Sequence, residues 1–361
     1  MLAGTSAARK RFALGADNRA RVGPASTIMR RGQYERALVT ATETPIRTAV
    51  VGVGYLGRFH AQKYAQLPGS QLIAVVDADA QTANKVAAEL GVEALTDYRA
   101  LVGRVDAVSL AVPTPLHHRI GCELLDRGIH VLVEKPIATT VEEARELIDI
   151  AKRRGSILQV GHLERFNPAV VAAVARLSAP RFVESHRLAP FKQRGIDVSV
   201  VLDLMIHDID LIQELVGEPI ESIDAIGASV FSGEIDIVNA RLRFKGGCVA
   251  NTTASRISLK QERKIRIFQD DAYLSIDMQQ KILSVIRKKD AVAAVESPAQ
   301  VSIEEESFDQ GDALRDEIAA FLHAVRTRSE PVVTGEDGLR ALETAMRITE
   351  LVKASASARG A

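Results

Sequence analysis

This chain of 361 residues has only two cysteines, no net formal charge and no apolar run long enough to span a bilayer. Each shortage removes a class of protein. Cys122 and Cys248 stand far apart, in neither a metal-ligand nor a redox spacing, which excludes a cysteine-built metal module and fits a reduced, cytoplasmic setting. With 46 basic and 46 acidic residues, nothing attracts nucleic acid or another polyanion to the chain as a whole. A membrane helix needs about eighteen consecutive apolar residues, so no membrane partner is expected. The length does allow two domains with substantial cores, at roughly 100 to 200 residues each.

Residues 1–46 differ in texture from the rest. Arg9, Lys10, Arg11, Arg19, Arg21, Arg30, Arg31 and Arg36 sit there among Ala, Gly, Thr and Ser, with few acids. A disordered basic arm, a transit peptide, and an overlong start with initiation at Met29 or later all fit such a stretch. Disorder or a misplaced start fits best. Arg30 and Arg31 have no apolar segment behind them, which argues against a twin-arginine export signal.

From Arg47 the pattern becomes specific. In RTAVVGVGYLG (47–57) an apolar β-type run turns through Gly52, Gly54, Tyr55, Leu56 and Gly57 into the start of a helix. Gly52 suits the tight turn, Gly54 lets the backbone approach a pyrophosphate, and Gly57 lets the helix lie close on the sheet. The free N–H groups of the helix N-terminus then face an anion. A second strand, QLIAVVDADA, reaches Asp77 twenty positions after Gly57, where a carboxylate can hold ribose hydroxyls and repel the extra phosphate of NADP. NAD is therefore the expected cofactor. Asp79 is close enough to rival Asp77 for the role.

Strand and helix alternate onward, as a parallel sheet with crossover helices requires. DAVSLAV (106–112) and IHVLVEKP are further strands, Thr140 with Glu143 makes a capping box, and Val141, Ala144, Leu147, Ile148 and Ala151 form the apolar stripe behind it. With SILQVGH (156–162), the expectation is an α/β fold: a doubly wound parallel sheet of about six strands over 47–165. Beyond 166 the segments VNARLRF, CVANTTASRI, KIRIFQDD and AYLSIDM suit an open, mostly antiparallel sheet with one covered face. This second, α+β domain is expected over 166–330.

Ligands in doubly wound sheets bind beyond the carboxyl ends of the strands, so the Pro113-Thr114 turn and Glu134-Lys135-Pro136 join the glycine loop as candidate site segments. Pro136 removes a donor and fixes the chain after Lys135, and a cis bond there would hold the turn in one shape. Between the two textures lies VVLDLMIHDIDLIQELVG, with helical periodicity. Asp203, His207 and Asp210 share one face of it. An acid one turn from a histidine can orient the ring and raise its basicity, which suits a proton acceptor. His117, His118, His162 and His186 read first as satisfied structural histidines, and no second ligand pair has the spacing of a metal site.

The segments GVGYLGRFH, VVDAD, AVPTPLHH, EKP, GHLERFNP and DLMIHDID, in that order, together resemble the glucose-fructose oxidoreductase, inositol dehydrogenase and MocA family. The tail ALRDEIAAFLHAV…PVVTGEDGLRALETAMRI is similar to it as well, so the resemblance spans essentially residues 47–354. It implies an NAD(P)-dependent oxidoreductase of two domains acting on a sugar or polyol, with a final helix over 331–361 returning to the nucleotide domain. It implies Lys135 beside nicotinamide and substrate hydroxyl, His207 as proton-transfer residue with Asp203 one turn before it, and Pro113, Thr114, His117 and Glu134 around the cofactor. Met205 stands where the family often has glycine.

VGHLERFNPAV, ESHRLAPF and VVLDLMIHDIDLI resemble more closely the UDP-N-acetylglucosamine 3-dehydrogenase branch, which supplies a 3-keto nucleotide sugar to an aminotransferase making a diamino sugar for lipid A. That likeness implies oxidation of a sugar 3-hydroxyl by NAD⁺, with His207 as first choice for the base and Lys135 polarising the oxygen; the reverse assignment stays open. A nucleotide-sugar diphosphate needs cationic partners, and Arg165, Arg187 and Arg194, with Asn167, are placed for it in sequence. Two other readings stand beside this one: another family dehydrogenase acting on a free sugar or inositol, and a non-catalytic NAD(H)-binding protein, against which Lys135, Asp203 and His207 argue. The open sheet needs cover, and the family commonly pairs such sheets, so a homodimer or homotetramer is expected.

Overall fold

A computed structural model describes residues 44–192, 198–289, 297–308 and 310–357; the basic extension up to residue 43, and Arg194, lie outside the described residues. Strands β1 (Ile46–Val51), β2 (Ser70–Val76), β3 (Glu93–Leu95), β4 (Ala107–Leu110), β5 (His130–Glu134) and β6 (Leu158–Gly161) form one parallel sheet in the order β3-β2-β1-β4-β5-β6. Helices α1 (Tyr55–Gln66), α2 (Ala80–Leu90), α3 (His117–Asp126) and α4 (Val141–Arg154) make the connections. Val50, Val75, Val108 and Val131 are fully buried, because such a sheet is covered on both faces and favours β-branched residues throughout. The strand order reverses between β1 and β4, and that switch point fixes where a ligand crevice opens.

Helix α4 shows how locally this domain is specified. Thr140 accepts the Glu143 N–H while the Glu143 carboxylate accepts the Thr140 N–H, a reciprocal cap whose loss by Thr140→Ala costs about 1 kcal/mol. Ala144, Leu147, Ile148 and Ala151 are buried, and Gly155 ends the helix in the left-handed conformation.

The second sheet has eight strands. They are β7 (Phe182–Leu188), β8 (Ile220–Ala228), β9 (Ile237–Phe244), β10 (Val249–Ser255), β11 (Glu262–Phe268), β12 (Ala272–Asp277), β13 (Ile282–Lys288) and β14 (Val301–Ser307), in the order β14-β13-β12-β11-β7-β10-β9-β8. All neighbours are antiparallel except β7 and β10, which run parallel. Alternate residues of β9, Val238, Ala240, Leu242 and Phe244, are buried, so one face is covered as the alternation requires. The short α5 (Pro168–Val174) and α6 (Ile206–Val216) pack on that face.

The boundary expected at residue 331 is corrected by the packing. Helix α7 (Ala313–Thr327) already lies on the first domain, with Ile318, Phe321, Leu322 and Val325 in one core with Val50, Tyr64 and Val75. The last helix, α8 (Gly335–Ser357), serves both domains: Ala341, Ala345, Ile348 and Val352 enter the second core, and Leu342 enters the first. Among the described residues no helix is long and apolar enough to cross a membrane.

Candidate active site

The glycine loop is shaped by contacts that permit no side chain. Gly52 has φ +85°, and a Cβ there would stand 2.7 Å from the Ala111 carbonyl oxygen. A Cβ on Gly57 would fall 1.8 Å from the Gly52 carbonyl oxygen. Gly54 is the opposite case, with nothing within 4 Å of the space its Cβ would occupy. It is the N-cap of α1 with no side-chain cap, so the first N–H groups face open space where an anion is favoured. The loop borders a cleft of about 410 Å³ lined also by Asp77, Thr96, Pro113 and Arg119.

The two aspartates are placed differently. Asp79 caps α2, accepting from the Gln81 and Thr82 N–H groups and the Thr82 hydroxyl. Asp77 accepts the Val53 N–H at 2.9 Å, tying the end of β2 to the glycine loop, and it lines the cleft. A cradle emptied at Gly54, an uncapped helix N-terminus and an acid at the strand end fit an adenine dinucleotide.

Thr114 opens a short 3₁₀ turn after exposed Pro113, and His117 follows at the head of α3. His117 is buried, its ring nitrogens 2.9 and 3.0 Å from the carbonyl oxygens of Val112 and Pro136. It therefore joins the loop after β4 to the loop after β5. The Lys135-Pro136 bond is cis.

Lys135 crosses to the second domain. Its Nζ donates to the Asp203 backbone carbonyl at 2.8 Å, with the Asp203 Oδ1 at 4.0 Å. Asp203 lies in a π-helical turn, Val201–Met205, that runs directly into α6, and this wider turn alters the facing expected of a regular helix. The expectation that Asp203 orients His207 and raises its basicity is corrected: Asp203 faces Lys135. Asp210, the third residue of that face, is bound to Arg165. Burial, joined by the charges of Lys135, Arg187 and Arg263 and by the neighbouring His162, holds His207 well below the ordinary histidine value. The His207 Nδ1 is buried with no hydrogen-bond partner among the described residues. Burial also lowers Lys135, against Asp203 and Glu134, which raise it. A neutral imidazole beside a buried ammonium can take a proton while the ammonium polarises an oxygen.

The arginines expected at a diphosphate are held elsewhere. Arg165, 1% exposed, pairs with Asp210 at 2.6 Å, Glu214 at 2.9 Å and Asp337 at 3.6 Å, joining α6 to α8. Arg187, 3% exposed, pairs with Asp208 at 2.8 Å and Glu164 at 3.0 Å. Moving either to a ligand would strand buried carboxylates. Asn167 caps α5 through the Ala169 N–H and donates to the Met278 carbonyl and to Glu164, so its amide serves the fold. All three side chains are taken up within the fold.

Several residues near the site escaped the sequence reading. Arg263 on β11 has a side chain 45% exposed, 3.8 Å from Glu164, and its charge is felt at Lys135 and His207. His162, expected to be a satisfied structural histidine, is instead buried with neither ring nitrogen hydrogen-bonded among the described residues, its Nδ1 3.9 Å from Asp210, and it acts on His207. His60 and Glu317 lie buried behind Glu134. No spacing signal announces any of them, since the fold brings them together from separate segments.

Residues 46–162 match the model of an oxidoreductase family with an NAD-binding Rossmann fold, and residues 181–358 match that of the family's C-terminal alpha/beta domain. The chain is 39% identical to a UDP-N-acetylglucosamine 3-dehydrogenase of Acidithiobacillus ferrooxidans over 86% of its own length and 98% of that protein's. A solved structure of a UDP-N-acetylglucosamine 3-dehydrogenase from that organism superposes with a TM-score of 0.80 at 37% identity, covering 86% of this chain and 99% of that one. A scyllo-inositol 2-dehydrogenase (NAD(+)) of Bacillus subtilis is 30% identical over 60% of this chain and 69% of that protein.

Proposed function

Because the chain belongs to the glucose-fructose oxidoreductase, inositol dehydrogenase and MocA family and is an NAD-dependent oxidoreductase, we propose that it oxidises the 3-hydroxyl of UDP-N-acetylglucosamine to the 3-keto nucleotide sugar. The observation that carries this reading is the near-full-length likeness to the Acidithiobacillus enzyme. When bound, NAD⁺ would accept the hydride released from the carbon that bears this hydroxyl, so that the C–H bond breaks as the hydroxyl proton leaves. Lys135 donates a hydrogen bond to the substrate oxygen and steadies the charge that develops there, and neutral His207 takes the hydroxyl proton. Asp203 holds Lys135 toward the second domain through its carbonyl. Gly52, Gly54 and Gly57 seat the pyrophosphate, and Asp77 takes the ribose.

Arg263, half-exposed on β11, is the cation that meets the substrate diphosphate in this reading. The ketone passes to an aminotransferase in the cytoplasm, toward a diamino sugar for lipid A. Copies of the chain associate as a homodimer or homotetramer through the uncovered side of the second sheet, where Ile226 and Ile303 are 51% and 69% exposed.

A second reading, oxidation of free inositol or sugar, is favoured by one observation: Arg165 and Arg187 are taken up in ion pairs, which leaves fewer cations for a diphosphate. Purified protein mixed with NAD⁺ and UDP-N-acetylglucosamine, with an aminotransferase drawing off the ketone, should accumulate NADH by absorbance. Turnover of a free polyol with none of the nucleotide sugar would replace the first reading by the second.

A further inference from the structure

Behind Lys135, away from the cleft, lies a group of buried polar side chains that the reaction does not touch. Tyr64, His60, Ser109 and Glu317 have no exposed surface. The Tyr64 hydroxyl is 2.9 Å from the Ser109 Oγ, the Ser109 Oγ is 3.0 Å from the His60 Nδ1, and the His60 Nε2 is 3.0 Å from the Glu134 Oε1. The second carboxylate oxygen, Oε2, accepts the backbone N–H of Lys135 at 3.3 Å. The carboxylate rests on Gly161 of β6, where a Cβ would stand 3.0 Å from its Oε1.

The proton positions in this chain follow from valence. An ionised Glu134 only accepts, so a neutral His60 carries its proton on Nε2 and accepts at Nδ1. Ser109 then donates to His60, and Tyr64 donates to Ser109. Every hydrogen bond points toward Glu134. Glu317 has both carboxylate oxygens buried without a partner among the described residues, and its ligand atom lies within 4.8 Å of those of His60 and Glu134. Two anions so close in a dry interior are strongly unfavourable, and burial with the nearby Glu134 charge pushes Glu317 well above the carboxylate range. Of the two carboxylates, Glu134 is the one that holds the negative charge.

We propose that Glu134 is a positioning residue for Lys135: the one-directional chain from Tyr64 through Ser109 and His60 pins its carboxylate as the single anion beneath the lysine, fixing the lysine's backbone and the field in which its ammonium stands. The charged and titratable groups facing Lys135 are Asp203 and Glu134 on the negative side, and Arg187, Arg263, His207 and His162 on the other. Those facing Glu134 are His60, Lys135, His117 and Glu317. Glu134 and Asp203 are the two carboxylates that oppose the effect of burial on Lys135, and only Glu134 is bonded to its backbone.

The role given to Lys135 rests on the proposed reaction, and the experiment is chosen to need no turnover. The full chain is acetylated with trace acetic anhydride across a pH series, and Lys135 labelling is read by peptide mass spectrometry to give its titration midpoint. Glu134→Gln should lower that midpoint by roughly one unit. Glu317→Gln replaces an acid already neutral and should leave it in place. A Glu134→Gln midpoint at the wild-type value, or an equal shift in Glu317→Gln, overturns the proposal. Should Glu134→Gln not fold, Ser109→Ala frees the His60 ring and should give a smaller downward shift; no shift there overturns it too. A wrong sugar substrate leaves all of these readings untouched, whereas it would show directly in the NADH assay.

Discussion

Lys135 bridges the two domains by donating from Nζ to the backbone carbonyl oxygen of Asp203 at 2.8 Å, while the Asp203 carboxylate stays 4.0 Å away. Side-chain deletion at the two partners should therefore have unequal results. Asp203→Ala keeps the carbonyl and loses only a distant, 41% exposed charge, so kcat should fall by no more than about tenfold. Lys135→Ala and His207→Ala should each lose at least about a hundredfold while binding NAD⁺ as the wild type does. Titration of NAD⁺ by fluorescence, beside steady-state rates, separates these outcomes; wild-type kcat in either variant would remove that residue from the reaction.

The pH dependence follows from the same two groups. His207 acts neutral and its folded pKa lies well below 6.5, so the acid limb of kcat/KM should fall below pH 6.5. Lys135 acts protonated and burial lowers it from 10.5, so the alkaline limb should come below pH 10.5. A rate that drops already above pH 6.5 would exclude His207 as the base.

Stability should change with pH in a related way. Burial also lowers His117 and His162, and takes His130 to about 4. For all four histidines the unfolded chain binds the proton first, so stability present above pH 6.5 is lost as pH falls from there toward 4. Glu317 has the opposite sign, since its raised folded value favours the native state until pH climbs above 4.5, but it is one group against four. Melting temperatures between pH 7 and 5 should fall before ordinary carboxylates titrate; a flat profile in that interval would contradict the buried, neutral histidines.

Arg165 and Arg263 should separate structure from binding. Arg165→Ala takes from buried Asp210 the guanidinium that holds both its carboxylate oxygens, and removes the link to Glu214 and Asp337 at the junction of α6 and α8, at a cost of about 3 to 5 kcal/mol. Arg263→Ala removes a half-exposed charge, so denaturation midpoints should hardly move while KM for a nucleotide sugar rises. The reverse pattern, a stable Arg165→Ala with a raised KM, would restore Arg165 to the substrate.

These arginines also mark where the sequence stopped being legible. The glycine loop, Asp77, the Thr140 cap and the strand ends were readable because each depends on residues within one turn or one strand-to-helix connection. Arg165 and Arg187 looked like binding residues because their partners, Asp210, Glu214, Asp337 and Asp208, come from α6 and α8, far off in the chain. The Asp203 and His207 pair misled for a different reason. A spacing of four implies a shared face only in an α-helix, and the chain takes a π turn at Val201–Met205. Helix α7 read as part of the second domain because its amphipathic stripe says that it packs, without saying on what.

The glycine loop permits a test in which stability and binding part company. Gly54 is exposed, and its missing Cβ would meet nothing within 4 Å. Gly54→Ala should therefore melt within about a degree of wild type, as surface changes do. Yet that open space is where a pyrophosphate must come close to the backbone, so NAD⁺ affinity should fall by at least about tenfold. Gly57→Ala places its Cβ 1.8 Å from the Gly52 carbonyl oxygen, and backbone must move to relieve it, lowering the melting temperature as overpacking does. Calorimetric binding of NAD⁺ and thermal melts of both variants decide the matter. Wild-type affinity in Gly54→Ala would mean that the dinucleotide does not lie across this loop.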